Sequence, residues 1–134
     1  MIVQIKKFKT LDSFEKFLIR KYSKHVDFYI NLHDENKNSR EFVHLIKLEV
    51  HKEKRRCGIG TQFMSDLCSY ANHKKFWIRL SPVPLSEEIT QKRLDSFYRK
   101  FGFKFMSESK TMHRRPKDEY NSALNTKCVV KKDV

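Results

Sequence analysis

Hydrophobic and polar residues alternate along two neighbouring stretches of the chain, residues 26–33 and residues 42–50. Successive side chains of a β-strand point to opposite faces of its sheet, so this alternation predicts two strands. The residues assigned to one face of the second strand are His44, Ile46, Leu48 and Val50. Because residues 34–39 are polar and predict a turn, the two strands could pair as an antiparallel hairpin.

Apolar residues three or four positions apart predict helices elsewhere in the chain. The first helix covers residues 12–23, where Asp12 and Glu15 form a capping-box pattern at its start. A later helix begins at a cap residue, Ser86, and ends at Gly102, since glycine often terminates helices.

Shorter apolar stretches complete the order of elements. They predict strands at residues 1–9, 76–80, 103–106 and 111–114. Together with a helix that follows residue 60, the elements predict one α/β or α+β domain with a mixed sheet flanked by helices. We expect this domain to cover residues 1–116, followed by a basic tail, residues 117–134, that is ordered at most in part.

Composition narrows the class of protein. A chain of 134 residues can bury a core without disulfides or metal. The three cysteines are widely spaced and the six histidines lack metal-ligand spacing, so we predict no disulfide framework and no metal site. The sequence has neither a recognisable secretory signal nor an apolar run of membrane-spanning length, and we expect a cytoplasmic protein without a membrane span.

The chain is strongly basic, with a formal net charge of +13. Such a charge favours anionic partners, namely a nucleotide-like cofactor, a nucleic acid or an acidic protein. A solvated, lysine-rich surface would account for the same charge.

A basic, glycine-containing turn, Arg55-Arg56-Cys57-Gly58-Ile59-Gly60, leads from the second strand into a helix predicted over about residues 60–73. Backbone amides at such a helix start point outward together, and the helix dipole adds positive charge, so a phosphate can bind there. Two named phosphate motifs are excluded. Phe63 replaces the third glycine of a Rossmann fingerprint, and Thr61 stands where a Walker loop has lysine.

Three motifs together resemble those of the GNAT family of N-acetyltransferases. The first is Arg55-x-x-Gly58-x-Gly60 after a strand, the second is Phe97-Tyr98-x-x-x-Gly102-Phe103, and the third is Met112-x-Arg114-x-Pro116. They occur in the family's order and spacing. The resemblance implies a single GNAT-like domain with a mixed, mostly antiparallel sheet, and an acyltransferase that uses acetyl-CoA.

The resemblance also implies where the cofactor binds. The backbone of residues 48–50 would hydrogen-bond the pantetheine arm, the amides of residues 56–61 would wrap the pyrophosphate, and Gln91 stands where the family often has asparagine. The implied cofactor-binding residues are Leu48, Glu49, Val50, Arg55, Arg56, Cys57, Gly58, Ile59, Gly60, Thr61, Gln91 and Tyr98.

Two residues are candidates for catalysis. Tyr98 matches the family tyrosine near the cofactor sulfur, where a phenol can protonate the departing thiolate; the alternative is a tyrosine buried in the core. His44 lies at a strand position where relatives that acetylate histones carry glutamate, and a histidine there can act as general base. The alternative is a strand histidine bonded to a neighbour. Glu49 is an odd number of residues from His44, so regular alternation places it on the opposite face of the strand from His44. A β-bulge between them would reverse this argument.

The sequence therefore predicts an acetyl-CoA-dependent N-acetyltransferase whose primary-amine acceptor attacks the thioester directly in a ternary complex. The acceptor could be a protein amine, a small amine or an aminoacyl-tRNA, and the enzyme a monomer or a homodimer. The alternative is a nucleic-acid-binding module on a catalytically inactive GNAT scaffold, which the net charge favours.

Overall fold

The computed structural model describes residues 8–35, 40–55, 57–85, 87–107 and 109–117. Most of the strand predicted at residues 1–9 lies outside these ranges, as do Arg56, Ser86 and nearly all of the predicted tail. Among the described residues, no helix is both long and apolar enough to cross a bilayer.

Three helices and five strands make up the described part of the chain. In order, they are α1 (Leu11–Tyr22), β1 (Val26–Glu35), β2 (Arg40–Val50), α2 (Ile59–Lys74), β3 (Trp77–Leu80), α3 (Gln91–Arg99), β4 (Lys104–Phe105) and β5 (Met112–Arg114). A single 3₁₀ turn, Lys52–Lys54, separates β2 from α2. The hairpin, the α2 helix and the closing pair of strands are confirmed.

The five strands form one sheet in the order β1-β2-β3-β5-β4. Only the contact between β2 and β3 is parallel, and α2 is the crossover that this parallel pair requires. The other three contacts are antiparallel. The predicted fold class, a mixed and mostly antiparallel sheet flanked by helices, is confirmed.

The first helix begins one residue earlier than predicted and with a different cap. Thr10 accepts a hydrogen bond from the amide of Ser13 at 3.1 Å, and the Ser13 hydroxyl reciprocates, which completes a capping box. The predicted pair of Asp12 and Glu15 is wrong, because Thr10 already holds the extended backbone of an N-cap.

Helices α1 and α2 pack together against one face of the sheet. The rings of Phe14 and Tyr70 stack with centroids 4.1 Å apart. At the other end of the contact, the Tyr22 hydroxyl donates to the Asp66 carboxylate at 2.5 Å, and Lys21 reaches the same carboxylate at 2.9 Å. This contact fixes α2, and therefore its N-terminus, against the sheet.

The pairing of β1 with β2 contains a β-bulge at Ile46. Tyr29 pairs with Lys47, but the next residue, Ile30, pairs with Leu45, so the β1 ladder skips Ile46. The Ile46 side chain is 46% exposed. An extra residue on one strand reverses the alternation of faces beyond it.

The bulge corrects the predicted faces of β2. Leu48 and Val50 share the core face with Leu45, because all three pair with residues of one face of β1. His44 lies on the opposite face, together with Glu49. The prediction that His44 shares a face with Leu48 and Val50 is therefore wrong, and so is the parity argument that separated His44 from Glu49.

Helix α3 begins at Gln91, later than the predicted cap at Ser86. Thr90 is its N-cap and accepts from the amide of Arg93 at 3.2 Å. The predicted stop at Gly102 is confirmed, because Gly102 has a φ of +94° just beyond the helix.

Arg114 ties the end of α3 to α2. Its side chain is only 3% exposed. Its Nε donates to the carbonyl of Phe101 at 2.7 Å, and its Nη1 donates to the side-chain oxygen of Asn72 on α2 at 2.9 Å. Because a buried charge without such partners is costly, these bonds hold the C-terminal turn of α3, and with it Tyr98, in one place.

Candidate active site

Strands β2 and β3 separate partway along the sheet. Their parallel pairing runs only as far as Leu45 and Leu80. Strand β2 continues to Val50, whereas the chain after Leu80 turns away through Pro82, which has no amide hydrogen to donate. In the described structure, the edge of residues 46–50 that faces β3 has no strand partner, so backbone groups there, other than the Val50 carbonyl that Arg55 contacts, are available to an extended ligand with amides of its own.

The N-terminus of α2 lies beside this edge. Gly58 is its N-cap, with a φ of +80° that favours glycine. The first intrahelical bond runs from Gln62 to the Gly58 carbonyl, which leaves the amides of Ile59, Gly60 and Thr61 without an intrahelical acceptor. Glycine has no side chain with which to cap them. Three converging amides and a helix dipole form an anion site.

A cleft of about 610 Å³ joins these two features. Its walls come from the end of β2, the following basic loop, the start of α2, the loop after β3, and α3. The predicted site residues that line it are Leu48, Glu49, Val50, Arg55, Gly58, Ile59, Gly60, Thr61 and Tyr98. The lining cations that sequence reasoning did not assign are Lys52, Lys54, Arg93 and Lys100. Arg93 and Lys100 lie four residues before and three residues after Phe97, and this helical spacing could have indicated that they share a face with the Phe97-Tyr98 motif.

The guanidinium of Arg55 is held at the mouth of the cleft. Its Nε donates to the Val50 carbonyl at 3.0 Å. Its Nη1 lies 3.4 Å from a carboxylate oxygen of Glu88, and its Nη2 lies 3.7 Å from Glu49. Lys52 reaches the other oxygen of Glu88 at 3.4 Å. An anion entering the cleft therefore competes with the Glu88 carboxylate for two cations.

Tyr98 lies at the inner wall of the cleft. The side chain is 5% exposed and its ring contacts Phe97 and Phe103 edge-on. Burial raises the pKa of Tyr98 to about 12. The phenol is therefore protonated at neutral pH and can donate a hydrogen bond to a negative charge that develops beside it.

His44 and Glu49 occupy the sheet face opposite the core. His44 lies across from Asn31 on β1 and from Arg79 on β3, one residue before the point where β2 and β3 separate. Of the two, Glu49 lies at the cleft, whereas His44 does not line it.

Gln91 and Cys57 do not line the cleft. The Gln91 amide donates to the Pro82 carbonyl at 2.7 Å and to the Asp95 carboxylate at 2.8 Å, and it faces a second cavity. Cys57 is exposed. Within the described ranges, no three His, Cys, Asp or Glu side chains cluster in a way that could hold a metal ion.

Solved structures resemble this chain in fold. The anti-CRISPR protein AcrVA5 is 25% identical, with a TM-score of 0.50, covering 64% of this chain and 87% of its own. The KacTA–DNA complex is 12% identical, with a TM-score of 0.52, covering 92% and 91%. The Bacillus subtilis N-acetyltransferase YlbP in complex with coenzyme A is 16% identical, with a TM-score of 0.47, covering 84% and 87%.

The sequence itself gives a more specific result. No curated protein matches the chain at a significant level. A family model described as an acetyltransferase (GNAT) domain matches residues 15–105, which include the cleft and its loop. Because this match spans more than half of the sequence, the chain belongs to the GNAT acetyltransferase family.

Proposed function

We propose that this chain is an acetyl-CoA-dependent N-acetyltransferase that transfers the acetyl group directly to a primary amine bound in the same complex. One observation carries the proposal. A single cleft contains an anion-binding helix start, an unpaired strand edge and a protonated tyrosine. A coenzyme A thioester contains, beyond its phosphorylated adenosine, a pyrophosphate, an arm with two amides and a sulfur, in that order.

The cleft fits the cofactor in both charge and hydrogen bonding. The amides of Ile59, Gly60 and Thr61 would bind the pyrophosphate, with Arg55 contributing a permanent positive charge. The backbone at residues 48–50 would bind the pantetheine arm as an added strand would be bound. A Cβ placed on Gly60 would lie 3.5 Å from Phe97 and from Val50, so a side chain there would narrow the space for the pyrophosphate.

The reaction needs two proton transfers from this chain's side. The cofactor supplies an activated acetyl group: as the amine nitrogen bonds to the carbonyl carbon, the carbon–sulfur bond breaks. The Tyr98 phenol would donate its proton to the sulfur as the carbon–sulfur bond breaks, and it would regain a proton from solvent. The attacking amine must lose a proton, and either His44 or Glu49 would accept it, directly or through water.

A thermal-shift experiment with a product assay tests this proposal. Acetyl-CoA should raise the melting temperature in a concentration-dependent way, because it binds only the native state. Mass spectrometry of a mixture with simple amines should detect an acetylated product and an equal amount of free coenzyme A. Neither a melting shift nor a product at millimolar acetyl-CoA would contradict the proposal.

The net charge of +13 supports a second candidate, a nucleic-acid-binding module on an inactive scaffold. The same preparation separates the two. The second candidate predicts a strongly salt-dependent shift of RNA or DNA in a gel and no acetylated amine.

A further inference from the structure

A second cavity of about 590 Å³ lies on the far side of the loop that follows β3. Val83 lines both the cavity and the cleft, so the two adjoin at this loop. The walls include Pro82 and Phe105, and the polar groups include Ser81 and Asp95. The cavity therefore combines apolar walls with a carboxylate, beside the end of β3 where the sheet opens.

One face of α3 connects the cavity to the cleft. Gln91 and Asp95 line the cavity, and Tyr98 lines the cleft. These residues follow the helical spacing of four and then three, so they form one stripe, and Asp95 is one turn from Tyr98. The cavity and the cleft therefore meet along the same side of α3.

Hydrogen bonds fix the orientation of the Asp95 carboxylate. The Gln91 amide donates to one of its oxygens at 2.8 Å and also donates to the Pro82 carbonyl at 2.7 Å. Gln91 thereby joins α3 to the loop that forms the cavity wall. A carboxylate held in this way retains acceptor capacity at its second oxygen.

We propose that this cavity is the acceptor site and that Asp95 binds the acceptor's amine. This inference rests on the proposed function and adds the class of substrate. The carboxylate would take the amine as an ammonium, and the walls of Pro82, Val83 and Phe105 would contact the apolar arm that carries it. The acceptor is thus a primary alkylamine, which would give up its ammonium proton before the nitrogen attacks the thioester.

Lys110 limits the charge of the acceptor. It lines the same cavity and is exposed to solvent. A second positive charge on the acceptor would meet this cation, so the site favours a monoamine over a polyamine. We expect n-pentylamine to exceed spermidine by about tenfold in kcat/KM, and a reversed preference would overturn this assignment.

The test compares Asp95→Asn and Asp95→Glu with Asp12→Asn. Asp12 is an exposed carboxylate on α1, paired only with Lys16 in the described ion pairs, and serves as the control for removal of one negative charge. Asn keeps the shape of the side chain and a partner for Gln91. Loss of a charge-assisted hydrogen bond should raise the KM for n-pentylamine about tenfold or more in Asp95→Asn, with partial recovery in Asp95→Glu.

Two binding measurements separate this inference from the proposed function. Calorimetry should find acetyl-CoA affinity unchanged within about twofold in Asp95→Asn. Titration of n-pentylamine into the enzyme–coenzyme A complex should detect binding to the wild type and much weaker binding to Asp95→Asn. Amine binding without transfer would retain the site and refute the proposed function. Transfer that is insensitive to Asp95→Asn would retain the function and refute the site.

Discussion

The cofactor cleft and the second cavity are nearly equal in volume, about 610 and about 590 Å³, but they are built from different parts of the chain. The cleft uses backbone amides, a strand edge and several cations. Among the described residues, the cavity is lined by the Asp95 carboxylate, the Lys110 ammonium, and neutral polar and apolar side chains. In our proposal, backbone groups would recognise what all coenzyme A thioesters share, whereas side chains would select one acceptor. Mutations should accordingly separate donor binding, chemistry and acceptor binding.

The largest effect is expected from Gly60→Glu, which places a carboxylate at the anion site. Repulsion and steric overlap should weaken acetyl-CoA binding more than about 100-fold, as measured by calorimetry, while the melting temperature of the free protein changes little. Gln62→Glu is the control, because this substitution adds the same charge to the same helix at a residue that does not line the cleft. Equal affinity of Gly60→Glu and wild type would mean that the pyrophosphate binds elsewhere.

Tyr98→Phe should lower kcat by about 100-fold while leaving the Kd for acetyl-CoA within about threefold, because the phenol acts on the thiolate and not on the bound cofactor. Tyr70→Phe is the matched control. Tyr70 is also buried, with its pKa raised to about 12, and lies outside the cleft. Equal kcat values for Tyr98→Phe and wild type would exclude Tyr98 as the acid.

The raised pKa of Tyr98 makes a pH prediction. Since the pKa of Tyr98 in the folded protein, about 12, exceeds the ordinary value of about 10, the Tyr98 phenol should remain protonated well above neutral pH. The kcat should therefore not fall between about pH 8 and pH 10 through loss of this proton. By linkage, the contribution of Tyr98 to stability is full below about pH 10 and is lost as the pH rises toward 12. A decline in kcat near pH 8.5 that disappears in Tyr98→Phe would contradict this assignment.

Arg55→Gln should have a smaller effect, raising the Kd for acetyl-CoA about tenfold, because one charged contact to a phosphate is lost while the amides remain. Lys16→Gln removes the same charge from α1 and controls for the net charge of the protein. If both substitutions weaken binding equally, the effect belongs to the overall field and not to Arg55.

The smallest effect, of opposite sign, is expected from Glu88→Gln. The Glu88 carboxylate pairs with Arg55 and Lys52 in the free protein, and a phosphate must displace it. Exposed pairs contribute less than about 1 kcal/mol, so acetyl-CoA should bind up to about fivefold more tightly at low salt. The gain should vanish at high salt. Glu87→Gln, at an exposed neighbouring position, should bind as the wild type does.

The sequence predicts most residues that line the cleft, because backbone chemistry leaves local signals. Gly58 and Gly60 after a strand indicate an anion site, and the positive φ of Gly58 explains why glycine is needed there. Tyr98 is found through its place in the Phe97–Gly102 motif. These features depend on residues close together in the chain, so spacing alone is informative.

The remaining features depend on contacts between distant segments. The bulge exposes Ile46, an apolar residue, to solvent. The sequence therefore alternates as a regular strand would, and reading it as regular assigns His44 to the wrong face. Gln91 stands where the family motif often has asparagine, but its bonds to Pro82 and Asp95 direct it to the other cavity. No spacing in the sequence signals this arrangement.

Initial rates with acetyl-CoA and n-pentylamine varied together test the central claim most directly. Direct transfer within one complex predicts double-reciprocal lines that intersect, with one acetylated amine formed for each coenzyme A released. Parallel lines would indicate an acetylated enzyme, and release of coenzyme A without acetylated amine would indicate hydrolysis; either result would contradict the proposed reaction.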